Sequence, residues 1–221
     1  MERKTAPTRN AASASKPSRR PELALSERYG GPVAGVDEAG RGPWAGPVVA
    51  AAVIFHRRPP PGIRDSKQLP PEAREALLPK IMAAAHVGVG IVDVAMIDSI
   101  NIYHATHAAM AEAVAKLAHA PAAALVDGNR CPQFDCPAEA LVQGDALSVS
   151  VAAASIVAKV TRDAMMRELS RAFPAYAWES NKGYGTKQHA AALALHGVSP
   201  HHRRSFQPVW ERLQQDSFAT A

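Results

Sequence analysis

The sequence predicts an α/β fold, a mixed sheet with helices packed on it. Three observations carry that prediction. Two apolar strands come first, as a pair. Further along, helical and strand patterns alternate, which is the signature of helices layered on a sheet. Hydrophobic residues make up 47% of the 221 residues and aromatics only 5%. Ala, Val, Ile and Leu therefore build a core sufficient for one domain.

Residues 1–28 are rich in Ala, Ser, Pro, Thr, Lys and Arg and lack hydrophobic periodicity. Residues 1–30 are accordingly expected to form a disordered basic N-terminal extension. The folded unit is expected over 31–215, closing in a helical segment. Residues 33–37 (VAGVD) read as a strand, and 46–55 (GPVVAAAVIF) as a longer buried one. The Pro-rich stretch 59–62 is a loop. Residues 71–84 read as a helix with Pro71 in its first turn. Residues 86–94 (HVGVGIVDV) alternate as a strand does. An Ala-rich helix follows over 100–119, ended by Pro121. Residues 122–126 (AAALV) form a short strand running into Asp127 and Gly128. A further strand fits 138–142. A long helix fits 146–173, and a short one 187–195 with Gly197 as its cap. Residues 201–213 are basic, then amphipathic. No internal repeat and no second domain is evident.

Several classes are excluded. No apolar run reaches the roughly 18 residues of a membrane span. The N-terminus has no apolar signal core. Cys131 and Cys136 are the only cysteines, which excludes a disulfide framework and a four-cysteine zinc site, and they read as two free thiols. A reducing cytoplasmic setting is the simplest expectation, and a monomer is expected because no coiled coil or long apolar edge is seen. The net charge is +5. Residues 1–30 hold seven Lys/Arg and three Glu, so four of those five charges lie in the tail. Overall charge therefore does not by itself make the folded part a nucleic-acid binder.

The acidic residues carry the chemistry. Asp37 and Glu38 end the first strand, and Asp127 ends another. Asp145 sits in a Gly-Asp pair before the long helix, where negative charge is favoured. Strand ends are where open α/β sheets build sites. Buried carboxylates are costly unless paired or bound to a cation. Carboxylates without His or Cys suit Mg²⁺ or Mn²⁺. Successive strand residues face opposite ways, so Asp37 and Glu38 share a site only if the strand bends or ends, and Gly40-Arg41-Gly42 supplies a break. That segment also leaves backbone N–H groups beside a cation, a cradle for a phosphate or a ribose hydroxyl. His104, His107 and His119 read as surface or packed histidines, since no carboxylate motif accompanies them.

These residues resemble a known family. Residues 36–43 (VDEAGRGP) with 45–48 (AGPV), 65–69 (DSKQL), 126–128 (VDG), 144–145 (GD), 152–163 (AAASIVAKVTRD), 181–186 (NKGYGT) and 202–206 (HRRSF) occur in the order of the type 2 ribonucleases H. The resemblance covers roughly residues 31–210 and is strongest to the bacterial ribonuclease HII branch; the extra domain of ribonuclease HIII is not expected. It implies a ribonuclease H-like fold, a central mixed five-stranded sheet flanked by helices. It implies an endonuclease that cuts RNA in RNA–DNA hybrids, and cuts 5′ of single ribonucleotides in duplex DNA, leaving 3′-hydroxyl and 5′-phosphate ends. Asp37, Glu38, Asp127 and Asp145 match the family's catalytic, metal-binding acids, which take two divalent ions, Mg²⁺ or Mn²⁺. Gly40, Arg41 and Gly42 match the segment that senses the 2′-hydroxyl, the group that separates RNA from DNA. Tyr184 matches the tyrosine that stacks on the sugar at the RNA–DNA junction.

Ser155, Lys159 and Arg162 are expected on a different face of the long helix from the apolar face of Val149, Ala153, Ile156, Val160 and Ala164. The resemblance makes Ser155 and Lys159 phosphate contacts, with Lys67 and Arg203 as further backbone contacts. Two rival readings stand beside this one: a non-catalytic hybrid-binding protein, and another nuclease of the superfamily such as a resolvase. Four intact carboxylates argue against the first. A duplex with one ribonucleotide, which a resolvase would ignore, separates the second.

Overall fold

A computed structural model describes residues 16–219. Five strands form one sheet in the order β3-β2-β1-β4-β5. They are β1 (Val33–Ala39), β2 (Val48–Phe55), β3 (Ala85–Val92), β4 (Ala123–Asp127) and β5 (Ala138–Leu141). The pairs β1–β2 and β2–β3 are antiparallel, while β1–β4 and β4–β5 are parallel. This is the mixed five-stranded sheet that the resemblance implies.

The strand alternation explains the two apolar layers. Ala34, Val36, Ala50 and Ala52 face one side and pack with Ile97, Ala105 and Ala109 of α3 (Val94–Ala115). Val49, Ala51 and Val53 face the other side and pack with Leu77 and Ile81 of α2 (Pro71–Ala84) and with Ala153, Ile156 and Val157 of α5 (Val149–Ala172). Small residues let α5 approach closely. A Cβ added at Gly35 would lie 2.3 Å from the Ser150 backbone.

Three elements differ from expectation. The extension expected to be disordered folds, in its second half, as α1 (Arg20–Tyr29). Its residues 1–15 lie outside the described residues. Pro21 and Glu22 suit the helix start, Arg28 suits its end, and Gly30 closes it with φ 73. Only Leu25 of its apolar side chains is buried, against Val33, Ala123, Leu125 and Val151, so no periodicity announces the helix. The helix expected from 100 is preceded by a further helical stretch: α3 is two stretches joined at a kink at Asn101 (φ 63), whose Oδ1 accepts the N–H of Tyr103 and of His104. The expected long helix is split at Ser148 into a single turn, α4 (Gly144–Leu147), and α5. The remaining helices are α6 (Trp178–Asn181), α7 (Lys187–His196) and α8 (Gln207–Ala219). Among the described residues no helix is long and apolar enough to cross a membrane.

Candidate active site

The acids meet where the parallel strands end. The β1–β4 register stops at Val36↔Val126, so Asp37 and Asp127 come next on neighbouring strands. Strand β1 does not end at Asp37. It runs on to Ala39, still paired with β2 through Ala39↔Val49. The expected break therefore lies later than the acids require. Asp37 lies level with Asp127, Glu38 follows one residue beyond the end of β4, and the charge of Asp127 reaches both. The N–H of Glu38 donates to Asp37 Oδ1 at 2.7 Å. Asp127 Oδ1 accepts the N–H of Gly144 at 2.7 Å, which anchors α4 and brings Asp145, in its first turn, to the group.

Burial, then the charges of Glu38, Asp127 and Asp145, hold the Asp37 carboxyl well above the usual range, although the Glu38 N–H opposes this. Burial raises Glu38, Arg41 opposes, and Asp127 adds to the rise. Burial, Asp65 and Asp127 raise Asp145 against the pull of Lys67. Lys67 Nζ lies 3.8 Å from Asp145 Oδ2. Partial burial lowers the lysine, but Asp145, Asp37, Asp65 and Asp127 outweigh it and raise it. Negative charge is thus crowded and only partly offset by Lys67 and Arg41. Oxygen-only donors of this kind suit a hard divalent cation. As they stand, no three His, Cys, Asp or Glu side chains among the described residues form a ligand set for a metal ion. What links the four acids here is charge and the Asp127–Gly144 bond. Asp65 is an acid the site-residue expectations missed. Its Oδ1 accepts the N–H of Lys67 at 2.9 Å, and its signal was its place at the head of the 65–69 motif.

The Gly40-Arg41-Gly42 loop lies beside these acids. Arg41 Nη1 is 3.4 Å from Glu38 Oε1. Gly40 is buried with φ 98, and a Cβ there would lie 2.0 Å from Arg162 Nε. Two buried guanidiniums lie beneath the loop, and one of them, Arg203, bonds it directly. Arg203 donates to the carbonyls of Gly40, Arg41, Gly46 and Pro47. Arg162 donates to those of Pro47, Lys182 and Ala45. Burial lowers them to about 10 for Arg162 and about 9 for Arg203, so both stay charged at neutral pH.

This corrects two expectations. Arg203 is not positioned for a nucleic-acid backbone contact, because its donors are spent on these carbonyls. The expected polar ridge on α5 is not a solvent face either: Arg162 is buried, and Ser155 is 3% exposed. The Ser155 hydroxyl donates to Ala152 O and accepts the N–H of Ser66, so it ties the 65–69 segment to α5. Lys159 is partly exposed, with Nζ 2.7 Å from Asp163 Oδ1. Sequence spacing marks a helical face but does not show which partners cover it.

Tyr184 is 45% exposed, and a Cβ at Gly42 would lie 3.4 Å from its ring. Gly42 and Tyr184 are therefore neighbours across the site. Behind Tyr184 lies a buried imidazole pair. His189 Nδ1 donates to Tyr184 O at 2.9 Å. His202 Nδ1 accepts the N–H of Ser199, which leaves its Nε2–H to donate to His189 Nε2 at 3.0 Å. His104 and His119 are exposed and His107 is half-buried. Cys131 and Cys136 are free and half-buried, and burial raises both thiols.

The model of the family described as Ribonuclease HII matches residues 34–209. Ribonuclease HII of Rhizorhabdus wittichii is 60% identical over 179 residues, covering 80% of this chain and 89% of that protein. Ribonuclease HII of Rhodospirillum rubrum is 53% identical over 204 residues, covering 89% and 94%. Among solved structures, ribonuclease H2 of Pyrococcus horikoshii OT3 is similar with a TM-score of 0.69 at 26% identity, covering 83% of this chain and 98% of that one. Ribonuclease HII of Archaeoglobus fulgidus, solved in a complex with PCNA, is similar with a TM-score of 0.68 at 26% identity, covering 80% and 95%. With most of its length matched by that family and its acids gathered at the end of a shared sheet, the chain belongs to the ribonuclease HII family and is a ribonuclease H endonuclease, of a family that acts on RNA–DNA hybrids and depends on divalent metal.

Proposed function

We propose that this enzyme hydrolyses the RNA strand of RNA–DNA hybrids and cuts 5′ of single ribonucleotides embedded in duplex DNA, leaving 3′-hydroxyl and 5′-phosphate ends. The observation that carries the reading is the convergence of Asp37, Glu38, Asp127 and Asp145 beside the Gly42–Tyr184 pair. Asp37, Glu38, Asp127 and Asp145 would hold two divalent ions, Mg²⁺ or Mn²⁺. When bound, such ions supply an activated water and charge to stabilise the leaving oxygen.

The chain's own residues do the rest. Arg203 holds the carbonyls of Gly40 and Arg41 inward, which leaves the Arg41 side chain and Gly42 exposed toward a 2′-hydroxyl. The Tyr184 ring offers a flat face to the sugar at the RNA–DNA junction. Lys67 places a cation beside Asp145, where a phosphate would pass. Lys159 offers a second cation on α5. The catalytic unit includes α1 together with the sheet and the helices that follow it, and acts as a monomer in the cytoplasm.

The test is a labelled DNA duplex carrying one ribonucleotide, incubated with Mg²⁺ or Mn²⁺ beside an all-DNA control. Cleavage 5′ of the ribonucleotide, lost on adding chelator, is the expected result. Cutting of a long hybrid but not of this duplex would remove the roles given to Gly42 and Tyr184.

A further inference from the structure

Helix α1 precedes the segment 34–209 matched by the family, yet it is built into the frame of the site. Ser18 brackets the α4–α5 junction. Its N–H donates to Leu147 O at 3.0 Å, and its carbonyl accepts the N–H of Val149 at 3.1 Å. Between those two residues lies Ser148, fully buried. Glu22, 7% exposed, reaches the same point from α1. Its Oε1 accepts the hydroxyl of Ser148 at 2.7 Å, the N–H of Ser150 at 2.8 Å and the hydroxyl of Ser150 at 2.6 Å. The Ser150 N–H is in the first turn of α5 and has no partner within the helix, so the carboxylate caps it where negative charge is favoured.

The junction matters because α4 is a single turn. A helix that short does not hold its own shape, so its ends fix it. At one end Gly144 N–H binds Asp127 Oδ1. At the other, Ser148 N–H closes on Gly144 O at 2.7 Å, and Ser148 is gripped by Glu22. Asp145 lies between these two fixed points.

We infer that Glu22 is a positioning residue for Asp145: by clamping Ser148 and Ser150 it sets where α4 presents that carboxylate beside Asp127. The inference rests on the reading of Asp145 as a catalytic acid. It gives α1, a segment outside the family match, a part in the reaction without contact with substrate.

The experiment compares Glu22→Ala, Glu22→Gln, Leu25→Ala and Asp145→Asn in the full chain. Glu22→Ala is expected to lower kcat on a fixed hybrid about tenfold with KM within about twofold, the split that marks lost transition-state alignment. Amide hydrogen exchange over residues 144–151 is expected to speed up in the same variant, a readout independent of turnover. Glu22→Gln keeps an acceptor oxygen and restores kcat to within about threefold. Leu25→Ala removes core packing of α1 and lowers the melting temperature, but leaves kcat of the folded protein within about twofold of wild type. Should Glu22→Ala not fold, Ser148→Ala removes one donor of the clamp and is expected to show the same kcat loss. A wild-type kcat in Glu22→Ala, or an equal kcat loss in Leu25→Ala, would overturn the inference. Full activity of Asp145→Asn would overturn the catalytic reading itself, and the inference with it, so the two failures are distinguishable.

Discussion

Arg203 and Gly40 meet at 2.6 Å, guanidinium Nη2 to backbone carbonyl, across 163 residues of sequence. The same side chain serves Arg41, Gly46 and Pro47. A lysine has one compact ammonium and cannot reproduce this fork. Arg203→Lys is expected to leave at least one buried carbonyl unpaired, at a cost of about 1–3 kcal/mol. Cleavage of the single-ribonucleotide duplex should fall further than the melting temperature alone explains. Unchanged cleavage in a destabilised protein would show that the carbonyls do not shape the loop's function.

Gly40 and Gly42 should respond differently to the same change. At Gly40, φ is 98 and a Cβ would strike Arg162, so Gly40→Ala is expected to cost about 1–3 kcal/mol and to abolish cleavage. At Gly42 a Cβ would make only close contact with Tyr184, at 3.4 Å. Gly42→Ala is expected to fold within about 0.5 kcal/mol of wild type yet to lose activity on the single-ribonucleotide duplex. Denaturant midpoints and initial rates of both variants check this.

Asp37 shows stability opposed to function. Burial and the neighbouring acids disfavour its charge. Asp37→Asn is expected to abolish cleavage, to leave hybrid binding largely intact, and to stabilise the metal-free fold by roughly 0.5–2 kcal/mol at pH 7. Calorimetry with and without chelator measures the gain, and a lowered melting temperature would contradict it.

The imidazole pair sets a pH dependence. Burial, with His189 beside it, pushes His202 from 6.5 down to about 3, and burial lowers His189 as well. The unfolded chain takes up the proton more readily than the folded one. Stability is therefore intact above about pH 6.5 and falls as pH drops from there toward 3, by at most ~1.4 kcal/mol per pH unit for each such group. The raised carboxyls of Asp37, Glu38 and Asp145 act in the opposite sense, so the variant comparison isolates the histidine. His202→Asn is expected to be less stable at pH 7 but to lose less between pH 7 and pH 5, as read from urea midpoints.

Much of this protein is legible in one dimension. The strands at 33–37 and 122–126 show as apolar runs, and each carries an acid, Asp127 at the end of β4 and Asp37 two residues before the end of β1. Local periodicity carries that information, because the same few residues both make the strand and bury it. The four acids and Tyr184 follow from motifs whose order survives in the chain. Other features belong to the tertiary structure alone. Arg162, Ser155 and Arg203 look like solvent-facing polar residues in sequence, yet their partners are carbonyls and amides such as Pro47 O, 115 residues from Arg162, and Ser66 N, 89 residues from Ser155. A buried polar side chain is stable only where such partners converge. Helix α1 is equally silent, since it buries only one leucine and one carboxylate. Sequence alone determined which strands carry the acids, though not that β1 runs past its own to Ala39. Folding decided which polar groups serve as their scaffold, because hydrogen bonds between residues far apart in the chain leave no periodic trace in it.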